Sequence, residues 1–293
     1  MDITKRALEP IDFHPVTPYS TVEESVPSHL ASVEASRKAM VYKFDHIGIT
    51  VRSLMEAQER IAKVHPCFHA QNSIEARNAL KEVSIHKPDR LSISLHRREK
   101  HISIELIEYP LVSKKSGSIL PCWYDAEAPS GYLKSLKNAI RKQFYLSLDG
   151  YSFADIASLL AEHAEFNAVV IPVEDLSAEE HFWQGLRFKQ IYSDSELVIL
   201  TLKSLIPPAQ DDYIVLYKVD FRMQYYTDME GINEVALLCH SCSADLKAFP
   251  QDVFKSSVDT LLVDGKKVEL GYLRSPSGVL AELLSVRLAI HDR

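Results

Sequence analysis

Four ionisable side chains stand inside apolar strand-like segments, where an unpaired charge is costly to bury. His46 lies in Phe44-Asp45-His46-Ile47-Gly48-Ile49-Thr50-Val51, and Glu234 in Ile232-Asn233-Glu234-Val235-Ala236-Leu237-Leu238-Cys239. Glu105 lies in Ile102-Ser103-Ile104-Glu105-Leu106-Ile107-Glu108, and Glu282 in Val279-Leu280-Ala281-Glu282-Leu283-Leu284. The second pair of segments repeats the first, with Asn233 matched to Asp45 and Glu234 to His46. One imidazole and three carboxylates are donors for a divalent cation, and three negative charges favour a hard or borderline metal while lowering its Lewis acidity. Zn, Mn, Co, Ni, Mg and Fe all remain open. A carboxylate not needed as a ligand could serve as a base: Glu234 first, and Glu82, beside Val83-Ser84-Ile85, second.

Each residue also has a plainer reading. His46 could be a core histidine bonded to a backbone carbonyl, and Glu105, which alternation puts on a face with Ser103 and Ile107, could belong to an edge strand. His86, His96 and His101, with Arg90, Arg97, Arg98 and Lys100, make a basic strip that fits a phosphate or carboxylate, or a solvated hairpin. Tyr225, Tyr226 and Trp183 could line a pocket or fill the core. Cys239-His240-Ser241-Cys242 has metal-type spacing, but no second such pair exists, so these read as strand-end cysteines.

The elements that must position these groups come in repeats. Tyr42–Val51 reads as a strand and Ser53–Val64 as a helix, Ser53 being its N-cap with Glu56 at the capping-box position. Strands near 82–86, 91–97 and 101–108 complete a βαβββ unit. The order recurs from Val169, with a helix over 178–185 and strands near 187–192, 196–202 and 213–219. It recurs again from Ile232, with a helix over 243–249 and strands near 259–263, 267–274 and 279–286. Residues 112–166 offer a helix near 132–142, a short strand at 144–148 and a helix over 152–165, as a helical insertion or a degenerate further unit. The expected divisions are an N-terminal extension over 1–40 with one helix from about Pro27 to Met40, a part over 41–166 holding the first unit, and a part over 167–293 holding two more.

These residues resemble the vicinal oxygen chelate superfamily, which includes glyoxalase I, methylmalonyl-CoA epimerase, extradiol dioxygenases and bleomycin-resistance proteins. The resemblance covers about 42–110 and 167–286. It rests on Asp45-His46-Ile47-Gly48-Ile49, Ile104-Glu105-Leu106-Ile107-Glu108-Tyr109-Pro110, Phe182-Trp183-Gln184-Gly185-Leu186-Arg187-Phe188, and Ser275-Pro276-Ser277-Gly278 leading into Ala281-Glu282-Leu283. The first unit looks most like methylmalonyl-CoA epimerase. The resemblance implies an α+β glyoxalase-like fold of cupped mixed sheets. It places His46, Glu105, Glu234 and Glu282 at metal-ligand positions if units one and three share a cup. Unit two has Ala168 and an apolar residue near Val215 at those positions and should be structural. The implied activity is an epimerase, isomerase or lyase acting through a metal-stabilised enolate on a small carbonyl or acyl-thioester substrate. The alternatives are a drug-sequestering binding protein of the same fold and a ring-cleaving dioxygenase, the latter disfavoured because it needs two histidines and only His46 is matched.

Composition narrows the partners. A net charge of -7 over 293 residues offers no basic field for nucleic acid. The absence of a long apolar run argues against a membrane span, and the polar N-terminus lacks a signal-peptide core, so a cytoplasmic protein is expected. An odd number of units leaves strand edges that a homodimer would cover.

Overall fold

The computed structural model describes residues 41–293 except 63, 67–68, 98–101, 117–118, 129–130, 147–155, 159, 161–165, 207–209, 221–224, 264–265 and 288–293. The expected extension and its helix over 27–40 lie outside the described residues, as do most of the expected helix over 152–165 and the residues His101, Arg98 and Lys100.

The first unit runs β1 (Val41–Val51), α1 (Leu54–Ile61), β2 (His69–Glu75), a short helix α2 (Asn78–Glu82), β3 (Arg90–His96) and β4 (Ser103–Glu108). Ser53 caps α1 as its sequence suggests, its hydroxyl accepting from the Glu56 amide, while the Glu108 carboxylate accepts from the Leu54 amide. Then follow β5 (Ser113–Ser116), β6 (Leu120–Cys122) and α3 (Tyr132–Leu146). The second unit is β7 (Ala168–Val173), α4 (Leu176–Gly185), β8 (Lys189–Ser193), β9 (Leu197–Lys203) and β10 (Asp211–Lys218). The third is β11 (Met229–Cys239), α5 (Cys242–Ala248), β12 (Asp259–Val263), β13 (Lys266–Arg274) and β14 (Leu280–Arg287).

Two local expectations are overturned. Residues 82–86 form no strand, because the Asp228 carboxylate accepts from the backbone amides of Ile85 and His86 and occupies the donors a strand would need. The expected strand at 144–148 gives way at its start to α3, which continues through Leu146.

How the units pair decides the site. The order β12-β13-β14-β11-β1-β4-β3-β2 makes one continuous sheet of units three and one, with β5 added along β11. Its centre is the antiparallel pair β1–β11, and each of these strands has its own unit's last strand parallel on the other side. Unit two forms a separate five-stranded sheet, β6-β7-β10-β9-β8. There β6 alone stands against β7, antiparallel, in the relation β1 bears to β11. This α+β arrangement of cupped mixed sheets is the glyoxalase-like fold that the sequence leads one to expect.

Candidate functional site

The register of the large sheet brings the four residues together in two adjacent rows. One row reads Tyr272, Glu282, Ala236, His46, Ser103 across β13, β14, β11, β1 and β4. The next reads Leu280, Glu234, Gly48, Glu105, Leu95 across β14, β11, β1, β4 and β3. The rows are two residues apart along each strand, roughly 7 Å, and alternation puts all these side chains on one face. A small residue lies between the members of each pair, Ala236 between Glu282 and His46 and Gly48 between Glu234 and Glu105. The long side chains therefore lean together over a low floor.

His46 is 4% exposed, Glu234 2% and Glu282 5%. The His46 Nε2 lies 3.5 Å from a Glu105 oxygen and 3.5 Å from the Glu282 Oε2, the long limit for a hydrogen bond. Its Nδ1 lies 3.1 Å from the Asp45 Oδ2. Strict alternation would point Asp45 away from His46. The register of β1 against β11 shifts between Phe44 and His46, and this bulge re-aims the pair. Tyr272 donates to the Glu282 Oε1 at 3.2 Å. The His46 Nε2, Glu234 Oε2 and Glu282 Oε2 are buried and make no hydrogen bond of ordinary geometry.

Electrostatics follow from this packing. Burial works against the His46 imidazolium, but Asp45, Glu105 and Glu282 outweigh it and hold the proton affinity well above the ordinary value. Glu234 is pushed well above the usual carboxylate range by burial first, then by the charges of Glu282 and Glu105, with His46 opposing. Glu282 is raised by burial, His46 opposing and Glu105 assisting. Burial and the close approach of three carboxylates to one imidazole thus raise the proton affinity of His46, Glu234 and Glu282 together.

In front of the floor lies a cavity of about 100 Å³. Its walls are mainly apolar, among them Leu80, Leu91, Ile93, Ile107, Leu261 and Leu270, with Glu75 and Arg77 also lining it, and Glu105, Glu234 and Glu282 open onto it together with Tyr109 and Tyr272. Helix α2 forms the cover. Ala76, Ala79, Leu80 and Val83 pack with Leu91, Ile107, Tyr109, Leu270, Tyr272 and Leu280 into a cluster separate from the main core. The cover is tied to unit three: the Ala79 amide donates to Asp259 at 2.6 Å, and the Glu82 carboxylate accepts from the Ser257 amide at 2.9 Å.

Glu82 is thus a tie at the end of α2 and does not join the other candidates. The basic strip divides as well. His96 is buried, its ring held by the His65 carbonyl and Ser94, whereas Arg90, Arg97 and His86 are exposed. Trp183 is core, donating to the buried Glu179, and Arg274 covers the Tyr226 ring. Cys239 and Cys242 are buried free thiols at the end of β11 and the start of α5. Asp45, Tyr272 and Gly48 carry no assigned role in the sequence reading. Asp45 sits in the quoted motif, but Tyr272 becomes visible only through the β13–β14 register.

Unit two shows the same positions without the chemistry. In unit one His46 pairs with the residue two before Glu105, and in unit three Glu234 pairs with the residue two before Glu282. The equivalent pairing of Ala168 with Tyr213 makes Val215 the partner position, and both Ala168 and Val215 are fully buried. On β6, Leu120 stands opposite Val170 and Cys122 opposite Ala168.

No family model matches this chain, and no curated protein matches it. Solved structures do. Glyoxalase I from Zea mays aligns at 13% identity over 85% of this chain and 92% of its own, with a TM-score of 0.44. A glyoxalase family protein from Enterococcus faecalis aligns at 18% identity over 42% of this chain and 98% of its own, TM-score 0.33. The fosfomycin resistance protein FosX from Listeria monocytogenes aligns at 18% identity over 41% of this chain and 90% of its own, TM-score 0.31. Among the described residues no helix is long and apolar enough to cross a membrane.

Proposed function

We propose that this protein is an enzyme that moves a proton beside a carbonyl group of a small molecule, with a divalent cation held by His46, Glu105 and Glu282 and with Glu234 as the base. One observation carries the reading: half-sites from units one and three fall into two adjacent rows of a single sheet, facing one cavity. Among the described residues no three His, Cys, Asp or Glu side chains are already gathered in a metal-holding group. The donor set nevertheless fits a cation in kind, because buried donor atoms on His46, Glu282 and Glu234 lack the hydrogen bonds such atoms normally make. A cation bound there would act as a Lewis acid toward a substrate oxygen.

The residues of the chain supply the rest. Asp45, 3.1 Å from the His46 Nδ1, would accept its proton and leave the Nε2, which lies 3.5 Å from oxygens of Glu105 and Glu282, for a cation. Tyr272 occupies one Glu282 oxygen and leaves the other toward His46. Glu234, desolvated and beside two carboxylates, has a raised proton affinity, which makes it a stronger base toward a carbon-bound proton than an exposed carboxylate. The apolar walls keep water from competing for that proton. A cavity of about 100 Å³ admits only a few heavy atoms, so most of an acyl thioester of the kind suggested by the epimerase-like first unit would lie outside it. Epimerisation, isomerisation and elimination share the same first proton transfer. The cytoplasm as location and a homodimer as assembly belong to the same proposal.

The apolar character of the walls also supports the second reading, a protein that binds a small apolar molecule without turnover. The deciding experiment measures metal content of protein purified without chelator, beside Glu105→Ala and Glu282→Ala, and follows α-proton exchange of 2-oxobutyrate in D2O by NMR. Stoichiometric metal lost in both variants, with exchange that chelator abolishes, is the expected result. A wild type that takes up no metal after reconstitution and exchanges no proton sinks the proposal and leaves the binding protein.

A further inference from the structure

Gly48 lies at the centre of the large sheet, where glycine ordinarily weakens a strand, because it has no side chain to pack and more backbone freedom to lose. Backbone geometry does not call for it: Gly231 and Gly278 have positive φ among the described glycines, and Gly48 does not. Space does. A Cβ built on Gly48 falls 2.6 Å from the Glu234 Cδ and closer still to its Cγ and Oε1, well inside any contact two such carbons can make. Gly48 and Glu234 are direct cross-strand partners on β1 and β11, and Glu105 pairs with Gly48 from the other side. The Glu234 side chain therefore lies down across the missing side chain, along the row that leads to Glu105.

We propose that Gly48 is the positioning residue for Glu234: by leaving its place on the floor empty, it lets that carboxylate lie against the sheet beside Glu105 and join His46 and Glu282. This rests on the function proposed above only for what Glu234 then does. With alanine at position 48 the Glu234 side chain must rise from the floor. The clash begins at the Cγ, the near end of the side chain, so turning the carboxylate alone does not relieve it. The other row has its own small residue, Ala236, between His46 and Glu282.

The test is a double-mutant cycle read by thermal melting and, separately, by Co2+ titration with its visible absorption spectrum. Gly48→Ala is expected to lower the melting temperature in the wild-type background and to have no such effect, or to raise it, in Glu234→Ala, which lacks all three clashing atoms. Equal losses in both backgrounds overturn the proposal. If Gly48→Ala fails to fold while Gly48→Ala with Glu234→Ala folds, the proposal stands, and if neither folds it falls. In the titration Gly48→Ala is expected to weaken Co2+ binding about tenfold or more and to change the spectrum. Co2+ binding by Gly48→Ala identical to wild type counts against the positioning role. A wild type that takes up no Co2+ instead defeats the proposed metal site, and the melting cycle still decides the role of Gly48.

Discussion

The two sheets of this protein use the same register and put different things in it. In the large sheet the matched positions hold His46, Glu105, Glu234 and Glu282; in the five-stranded sheet the corresponding places hold Leu120, Ala168 and Val215. The large sheet has a full partner unit on each side of its central pair, whereas the smaller one has only β6 opposite β7. The backbone of a βαβββ unit thus does not itself produce a site. A site needs two units paired through their first strands, polar groups at four registered positions, and small residues beneath them.

The sharpest way to break that comparison is to write the chemistry of the large sheet into the small one. Ala168→Glu places a carboxylate at the position matched to Glu234, on a strand buried along its whole length and with apolar residues at the other matched positions. An uncompensated buried charge of this kind should cost about 3–5 kcal/mol, read from the shift in a urea denaturation curve. A loss under about 1 kcal/mol would mean that the five-stranded sheet retains a polar environment its residues do not reveal.

Each sheet also buries a strained acid, and the two can be compared by pH. Glu234 is raised by burial and by its carboxylate neighbours; Asp212, fully buried on β10, is pushed up to about 7 by burial, with Lys43 opposing. In both cases the folded form binds the proton more tightly than the unfolded chain does, so stability is full below the unfolded pKa and falls as pH rises through the folded one. Glu234→Gln should flatten the melting temperature against pH on the alkaline side, match the wild type in acid, and alter metal uptake. Asp212→Asn should gain about 2–4 kcal/mol above pH 7, fade toward pH 4, and leave metal uptake unchanged. Identical metal behaviour in the two variants would erase the distinction between the sheets.

Much of this was legible in the sequence, for reasons that also explain what was missed. His46, Glu105, Glu234 and Glu282 stand out because strand periodicity is short-range and a charge within it is conspicuous. The pairing of units one and three was not legible: it is a contact between β1 and β11, strands far apart along the chain, and no local pattern encodes it. Strand β2, His-Ala-Gln-Asn-Ser-Ile-Glu, escaped because it is polar and its alternation breaks at Ser73, which has a positive φ beside a register shift. Residues 82–86 alternate like a strand yet turn beneath the Asp228 carboxylate, a residue remote in the sequence. Glu82 was drawn in as a candidate by that same false strand. Among the site residues, Gly48 was in plain view and gained meaning only when the register set it against Glu234.

The smallest expected effect concerns how the large sheet holds its carboxylates in place. Tyr272 neighbours Glu282 in the same row, and its hydroxyl donates to the carboxylate oxygen that His46 does not approach. Tyr272→Phe keeps the ring in its apolar surroundings and removes one hydrogen bond to a charged group, which should cost about 1–2 kcal/mol. If Tyr272 only packs, the variant should melt slightly lower and take up metal as before. If it orients Glu282, metal affinity should fall as well, and Glu282→Gln with Tyr272→Phe should lose no more affinity than Glu282→Gln alone. Non-additivity between Tyr272 and Glu282 would extend the difference between the sheets beyond the four polar positions to the neighbours that aim them, and additivity would confine it to those four.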